Sequence, residues 1–191
     1  MTSMEDNRIC TYFVKLGLTE EQAERLAGFF TVVSYGQGQT MLAMGEKKDF
    51  LCLILTGVVR GYYLDEDGND VTKCFSREND WCCFYNYISD APSPFYVEAL
   101  EKVSAAQIRI SDLEKCLQET PSLQECFQRL VNEAFLKIEE KNMAFARLDA
   151  KERYLKFLRE YPELAGRVRQ EYVATYLGIT PSSLSRIKRS L

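Results

Sequence analysis

Twenty-two residues, Gln170 to Leu191, constrain this chain more than any other stretch: QEYVATYLGITPSSLSRIKRSL. Ala174, Gly178 and Leu184 fall at relative spacings 0, +4 and +10. Two helices that cross closely need a small residue in the first, and Ala174 supplies it. They need a turn residue that tolerates positive φ, and Gly178 supplies that without steric cost. Leu184 gives the second helix an apolar inner face, and Leu177, Ile179 and Ile187 complete a small core. Thr180 followed by Pro181 reads as an N-cap and a first helical position. The second helix is therefore expected from about Pro181 to Arg189 or the last residue. An ordinary αα-hairpin closing a domain also places Ala, Gly and Leu at such points. The complete spacing favours a helix-turn-helix over it, as does an outer face with two arginines and no acid.

That outer face carries Ser182, Ser183, Ser185, Arg186 and Arg189, with Lys188 beside them and Gln170 at the start of the first helix. A helix of this kind lies in the major groove of duplex DNA, so these seven residues are the candidate DNA-binding set. The whole chain has 24 basic and 28 acidic residues, a net charge of −4, which suits no general nucleic-acid binder. The charge is unevenly placed, however. Residues 151–191 hold nine Lys/Arg and four Glu, a net of +5, and residues 1–150 carry −9. A basic end on an acidic body directs DNA to one place and repels it from the other. A solvated face on a terminal helix accounts for the +5 equally well when taken alone.

Several function classes drop out on composition. There is no histidine, which removes imidazole metal ligands, Ser-His or Cys-His catalysis and histidine pH sensing. With no phosphate loop either, an enzyme is the weakest reading. The seven cysteines show no repeated spacing, and there is neither a secretory signal nor a membrane-length apolar run. Reduced thiols in the cytoplasm are expected. Cys82-Cys83 is adjacent, which suits neither a CxxC redox site nor tetrahedral zinc ligation. No metal and no cofactor are expected.

Between residues 8 and 30 runs a short amphipathic helix pattern, with Thr19 and Gln22 resembling a capping box. Strand-like segments follow at short intervals: Thr31–Tyr35, Thr40–Ala43, Phe50–Thr56, Val58–Leu64, Val71–Ser76, Phe95–Ala99 and Ser104–Ile110. Glycine turns and the DEDGND stretch at 65–70 separate them, a spacing that predicts an antiparallel sandwich or roll. The acidic stretch fails the EF-hand pattern in glycine and glutamate position, so Asp67-Gly68 reads as a hairpin turn. The segment from Asp80 to Pro94 is irregular and aromatic. Its residues Trp81, Cys82, Cys83, Phe84 and Ser93, with Phe95 after it, are the candidate effector pocket; plain core packing is the commoner use of such a segment.

From Ser111 onward the pattern is helical. Pro121 opens a long helix to Leu148, on the order of 40 Å at ~1.5 Å per residue. Phe127, Leu130, Ala134, Ile138 and Phe145 follow its three-four spacing, which Lys141 interrupts, and Val131 and Phe135 form a second apolar edge. One stripe can cover the β-domain while the other pairs with a second copy, as in a parallel coiled coil. A single wide stripe packing within one chain is the alternative, and the helix length favours the pair. Asp149 caps a further helix ending before Pro162. The expected organisation is thus 1–120 a sensor roll, 121–148 a dimerisation helix and 149–191 a helix-turn-helix domain.

This order resembles the Crp/Fnr family of transcription regulators over nearly the whole chain. The resemblance rests on Gly38, Gly45 and Gly57 at roll turns, on LCLILTGVVRGYYLDEDGNDVT, and on AKERYLKFLREYPEL followed by the helix-turn-helix. It implies an α+β fold: an antiparallel, cyclic-nucleotide-binding-like β-roll (a double-stranded β-helix), a long dimer helix and a small all-α domain. It also implies a homodimer reading a two-fold site on double-stranded DNA, a small-molecule effector, and RNA polymerase as a further partner. The family's cyclic-nucleotide cassette is degenerate here. Trp81-Cys82-Cys83 stands where Phe-Gly-Glu is expected, and Ser93-Pro94-Phe95 where Arg-Ser/Thr-Ala is expected. Phosphate thereby loses its bidentate cationic partner, and cAMP is not expected to bind in the usual way. Cys10 stands alone near the N-terminus, so the iron–sulfur pattern of one family branch is not carried over. Of the family's base-reading positions only Arg186 is retained, with Pro181 and Ser182 at the others. A ligand-sensing protein-interaction module with a vestigial DNA head is the second functional reading.

Overall fold

The computed structural model describes residues 4–89 and 91–191. By mutual proximity they divide into two compact units, one of residues 4–61, 75–89 and 91–131, the other of residues 62–74 and 132–191.

The first unit opens with α1 (Met4–Lys15) and α2 (Glu20–Ala27). The expected capping box is present on α2: Thr19 Oγ1 accepts from the Gln22 backbone N–H at 3.2 Å, and Gln22 Oε1 accepts from the Thr19 N–H at 3.1 Å. Two four-stranded sheets follow. The strands are β1 (Thr31–Tyr35), β2 (Thr40–Leu42), β3 (Phe50–Thr56), β4 (Val59–Leu64), β5 (Asp70–Ser76), β6 (Trp81–Cys82), β7 (Tyr96–Ala99) and β8 (Val103–Arg109). One sheet runs β1-β8-β3-β6 and the other β2-β7-β4-β5, and β1–β8, β2–β7, β3–β6 and β3–β8 pair antiparallel. The short helix α3 (Tyr85–Ile88) follows β6, and α4 (Ile110–Glu119) follows β8. This is the expected antiparallel roll with flanking helices.

β3 explains the layering. Its residues Leu51 to Leu55 are all buried, a continuous apolar run that marks a strand covered on both faces. Successive side chains point to opposite faces. Leu51, Leu53 and Leu55 join a core with Ile9, Phe13, Leu26, Leu113, Leu123 and Phe127 from the helices. Cys52 and Ile54 join a second core with Met41, Leu42, Val59, Val97 and Val103. Each fully buried Leu, Ile or Phe contributes about 1.5–3 kcal/mol, so both layers are needed to hold the central strand. At the β3–β4 turn, Gly57 adopts φ +95°, and a Cβ there would stand 2.6 Å from the Lys102 carbonyl oxygen. Only glycine fits that corner.

The long helix α5 (Pro121–Arg147) begins in the first unit and ends in the second. The second unit continues with α6 (Ala150–Glu160), α7 (Leu164–Arg167), α8 (Gln170–Tyr176) and α9 (Pro181–Arg189). Asp149 caps α6 through a reciprocal box with Glu152, at 2.8 and 2.9 Å. Tyr154, Phe157, Leu164, Val168, Val173, Ala174, Leu177 and Leu184 are its buried side chains. Phe157 meets the rings of Tyr161 and Tyr176 at 5.6 and 5.7 Å, a spacing that favours aromatic pairing. Within this unit Thr72 belongs with the helices: its hydroxyl oxygen is 2.8 Å from Thr175 Oγ1, which also accepts from the Thr72 backbone N–H. The short helices α3 and α7 and the two-residue strand β6 are elements that sequence patterning does not anticipate.

Candidate nucleic-acid interface and roll interior

The helix-turn-helix is assembled as its spacing requires. Ala174 and Leu184 are buried to 0% and 1% exposure. Gly178 makes the turn at φ +68°, and a Cβ there would meet the Phe145 ring at 2.8 Å. The glycine is therefore needed for its backbone and for its lack of a side chain. Thr180 caps α9, its Oγ1 accepting from the Ser183 N–H at 3.2 Å, with Pro181 in the first turn. Arg153 of α6 braces the turn from beneath. Its Nε donates to the Leu177 carbonyl at 3.1 Å, its Nη1 donates to the Leu148 carbonyl at 2.7 Å, and its guanidinium lies 4.8 Å from the Phe145 ring. Sequence reasoning missed Arg153, whose role shows only once the turn is built.

Six of the seven candidate DNA-binding residues are exposed: Gln170, Ser182, Ser185, Arg186, Lys188 and Arg189. Ser183 is half-buried, and the Thr180 hydroxyl donates to its Oγ at 3.0 Å. Arg186 Nε donates to the Ser182 carbonyl and Arg189 Nε to the Ser185 carbonyl, at 3.5 and 3.4 Å. Each bond engages only one of a guanidinium's five N–H donors. Lys188 Nζ donates to Gln170 Oε1 at 3.0 Å, so those two form a pair across α8 and α9.

The candidate effector residues are placed differently from a pocket lining. Trp81 is 9% exposed and lies in the helix-side core. Its Nε1 donates to the Tyr12 hydroxyl at 2.9 Å, and the rings of Phe13, Phe30, Phe84 and Phe127 surround it. Phe95 is buried in the inter-sheet core beside Tyr85. Ser93 is 1% exposed, and its Oγ donates to the Phe95 carbonyl at 2.8 Å. Its backbone N–H donates to the Glu46 carbonyl and its own carbonyl accepts from the Gly45 N–H, both at 2.8 Å. Trp81, Phe84, Ser93 and Phe95 thus pack against or anchor the roll's own residues. A second charged pair lies buried nearby in sequence to the turn: Arg60, 1% exposed, holds Glu98 Oε1 through Nη2 at 2.7 Å and Nε at 2.9 Å.

Cys82 and Cys83 do come together with a third residue. Cys52 and Cys82 are register partners of β3 and β6, and Cys83 takes φ +65°, a left-handed conformation unusual for a residue with a Cβ. The sulfurs of Cys52, Cys82 and Cys83 all lie within 4.8 Å of one another, buried and without a disulfide. The Cys82 and Cys83 thiols hydrogen-bond to the Cys52 sulfur and pull its pKa well below the ordinary thiol value. Those same bonds, with burial, hold Cys82 and Cys83 well above it. Nearby, Gln107 Nε2 donates to the Tyr35 hydroxyl at 2.6 Å, and burial pushes Tyr35 up to about 12. Adjacency of Cys82 and Cys83 hides this group in the sequence, because Cys52 comes 30 positions earlier and joins only through strand register.

The proposed dimer set also divides. Phe127 is 3% exposed and packs in the roll's own core against Trp81 and Tyr87, so it is not available to a second copy. Leu130 packs partly against the same core, and Ala134 is half-buried. Ile138 and Phe145 are 52% and 42% exposed, joined by Phe135 at 60%.

A cyclic nucleotide-binding domain model matches residues 32–120. An anaerobic regulatory protein of Haemophilus influenzae is 21% identical over 162 residues, which cover 79% of this chain and 63% of that protein. The chain thus spans just under two thirds of that relative. Among solved structures, FixK2 from Bradyrhizobium japonicum superposes with a TM-score of 0.75 at 23% identity, covering 85% of this chain and 84% of that one. The c-di-GMP responsive global regulator CLP of Xanthomonas campestris gives 0.74 at 13%, covering 90% and 91%. These likenesses support the fold. Taken with the nucleotide-domain match over the roll and the assembled helix-turn-helix, they agree with the resemblance to the Crp/Fnr family.

Proposed function

We propose that the chain is a homodimeric, sequence-specific DNA-binding transcription regulator. The observation that carries this reading is α9, capped at its start and braced beneath its turn. It presents Arg186, Lys188 and Arg189 outward with no acidic residue in the helix. Two such helices in a symmetric dimer meet successive major grooves about 34 Å apart on a two-fold site. Arg186 is the base reader, since an arginine makes two hydrogen bonds to guanine O6 and N7. Arg189 and the Lys188–Gln170 pair approach phosphate. RNA polymerase is the further partner such a regulator addresses.

Selecting bound sites from a random duplex pool tests the proposal. The wild-type protein is expected to enrich a two-fold sequence. Arg186→Ala should lose roughly 1–3 kcal/mol and relax preference at one position per half-site. Arg189→Ala should weaken all sequences alike and lower the salt slope by about one. Failure to enrich any sequence, with or without cell extract to supply an effector, would sink the regulator reading in favour of a protein-interaction module.

A further inference from the structure

Three thiols meet in the inter-sheet layer of the roll. Cys52 and Cys82 face each other across the β3–β6 ladder, and Cys83 reaches the same point by a left-handed backbone turn. Their sulfurs lie within 4.8 Å of one another, all three side chains are buried, and Met41, Leu42, Ile54 and Val59 share their apolar core, with Gln107 the polar side chain at Cys52. We propose that Cys52, Cys82 and Cys83 form a tris-thiolate site for a trivalent, thiophilic metalloid of the arsenite class.

Geometry gives the number of ligands. Three sulfurs about 2.3 Å from a pyramidal ion, as trivalent arsenic with its lone pair is, stand about 3.5 Å apart, so the group closes on the ion by an inward movement of the three sulfurs. Charge selects among soft ions. Thiolate ligands suit monovalent copper and divalent zinc as well, but three thiolates leave the first complex at −2 and the second at −1. A net charge buried among apolar side chains is costly unless paired, and Lys48, whose charge acts on Cys83, is bound to Glu46 at 3.3 Å. Arsenous acid avoids that cost. As(OH)3 and three thiols give As(S–Cys)3 and three waters. Three As–O bonds break, three As–S bonds form, each thiol proton leaves on a water, and arsenic stays trivalent. Reactant and product are both neutral, so the entering molecule carries no charge into the core.

This inference deepens the regulator reading by naming an effector class for the roll, and it is tested on the free protein so that the two can fail separately. The reduced full-length chain is mixed with sodium arsenite without oxygen, then followed by native mass spectrometry and arsenic X-ray absorption. One arsenic per chain with three sulfur neighbours is expected. Cys52→Ala, Cys82→Ala and Cys83→Ala should each weaken binding more than about tenfold. A variant with Cys10, Cys74, Cys116 and Cys126 all changed to Ser should keep it, and circular dichroism identifies the variants that remain folded. Arsenic retained after all three site cysteines are replaced overturns the assignment, as does loss of binding in the folded four-serine variant. A preference for copper(I) or zinc under matched competition, or a Cys82–Cys83 disulfide in place of an adduct, also overturns it.

Discussion

Lys141 interrupts the apolar stripe of α5, and its surroundings explain the interruption. Its ammonium donates to the Lys73 carbonyl at 2.6 Å and stands 4.1 Å from the Tyr176 ring centroid. Burial pulls its pKa down from 10.5 to about 8, with Lys73 adding to the shift and Cys74 opposing it. A stripe count cannot distinguish such a lysine from a solvent-facing break, because its apolar stem packs while its charge rests on a carbonyl and a ring. The shift has a measurable consequence. Between about pH 8 and pH 10.4 the unfolded chain holds this proton and the folded chain has released it, so stability contributed here rises with pH. At about 1.4 kcal/mol per pH unit, reduced by the group's partial exposure, wild type should gain roughly 1–2 kcal/mol on Lys141→Met from pH 8 to pH 10. Cys83, raised first by its hydrogen bond with Cys52, and Cys116 and Tyr176, raised chiefly by burial, oppose this with their own titrations. They are common to both proteins and cancel in the difference. Denaturant unfolding of the pair checks it, and a difference that stays flat with pH would show Lys141 charged throughout.

At the scale of elements, α5 shows how one helix serves two purposes. Leu123, Cys126 and Phe127 are buried in the roll's helix-side core. Beyond them the apolar edge changes face. Val131, Phe135, Ile138, Asn142 and Phe145 succeed one another at +4, +3, +4 and +3, the a/d alternation of a coiled coil. Phe135 and Ile138 are exposed within the chain, with Leu136 and Met143 beside them at 57% and 47%. Asn142 sits on that seam, where a polar residue fixes register at some cost in stability. The sequence shows both edges, but only burial says which one the chain uses for itself. Replacing Phe135 and Ile138 by Asp should raise the dimer dissociation constant at least about 100-fold, read by analytical ultracentrifugation. Leu130→Asp should instead lower thermal stability, because that side chain is packed on the roll. A wild-type dimer surviving the double change would move the interface off α5. Similar limits apply to the short elements. The caps on α2, α6 and α9 are legible because each needs two or three residues close in sequence. β6 is not, since two residues carry no periodicity and Trp81 and Cys82 take opposite faces only through pairing with β3.

For the molecule as a whole, the nucleotide-domain match and the cassette residues point in different directions, and the packing of the roll supports the reading that a cyclic nucleotide does not bind. The roll keeps the cyclic nucleotide-binding domain's strands over the matched residues 32–120. Its interior, however, is committed. By resemblance Cys82, Cys83 and Ser93 stand where a glycine, the ribose-binding glutamate and the phosphate-binding arginine belong. Ser93 spends its hydroxyl on the Phe95 carbonyl, Phe95 fills the inter-sheet core, and the buried guanidinium of Arg60 is held by Glu98. A cyclic phosphate entering the roll would find Ser93 where the cassette's arginine belongs and would displace a buried aromatic ring, whose removal from a core costs about 3–5 kcal/mol. Linkage makes the test quantitative. A ligand at 100 times its dissociation constant adds about 2.7 kcal/mol to stability, which for a chain of this length raises Tm by roughly 5–10 °C. Trp81 is the one tryptophan in the sequence and lies in the roll's core, so its fluorescence reports unfolding of this unit directly. Thermal unfolding followed at Trp81 should be unchanged by millimolar cAMP or cGMP. A rise of about 5 °C or more would mean that residues 81–95 rearrange to expose a cation and that the packed interior is one of two states of the roll.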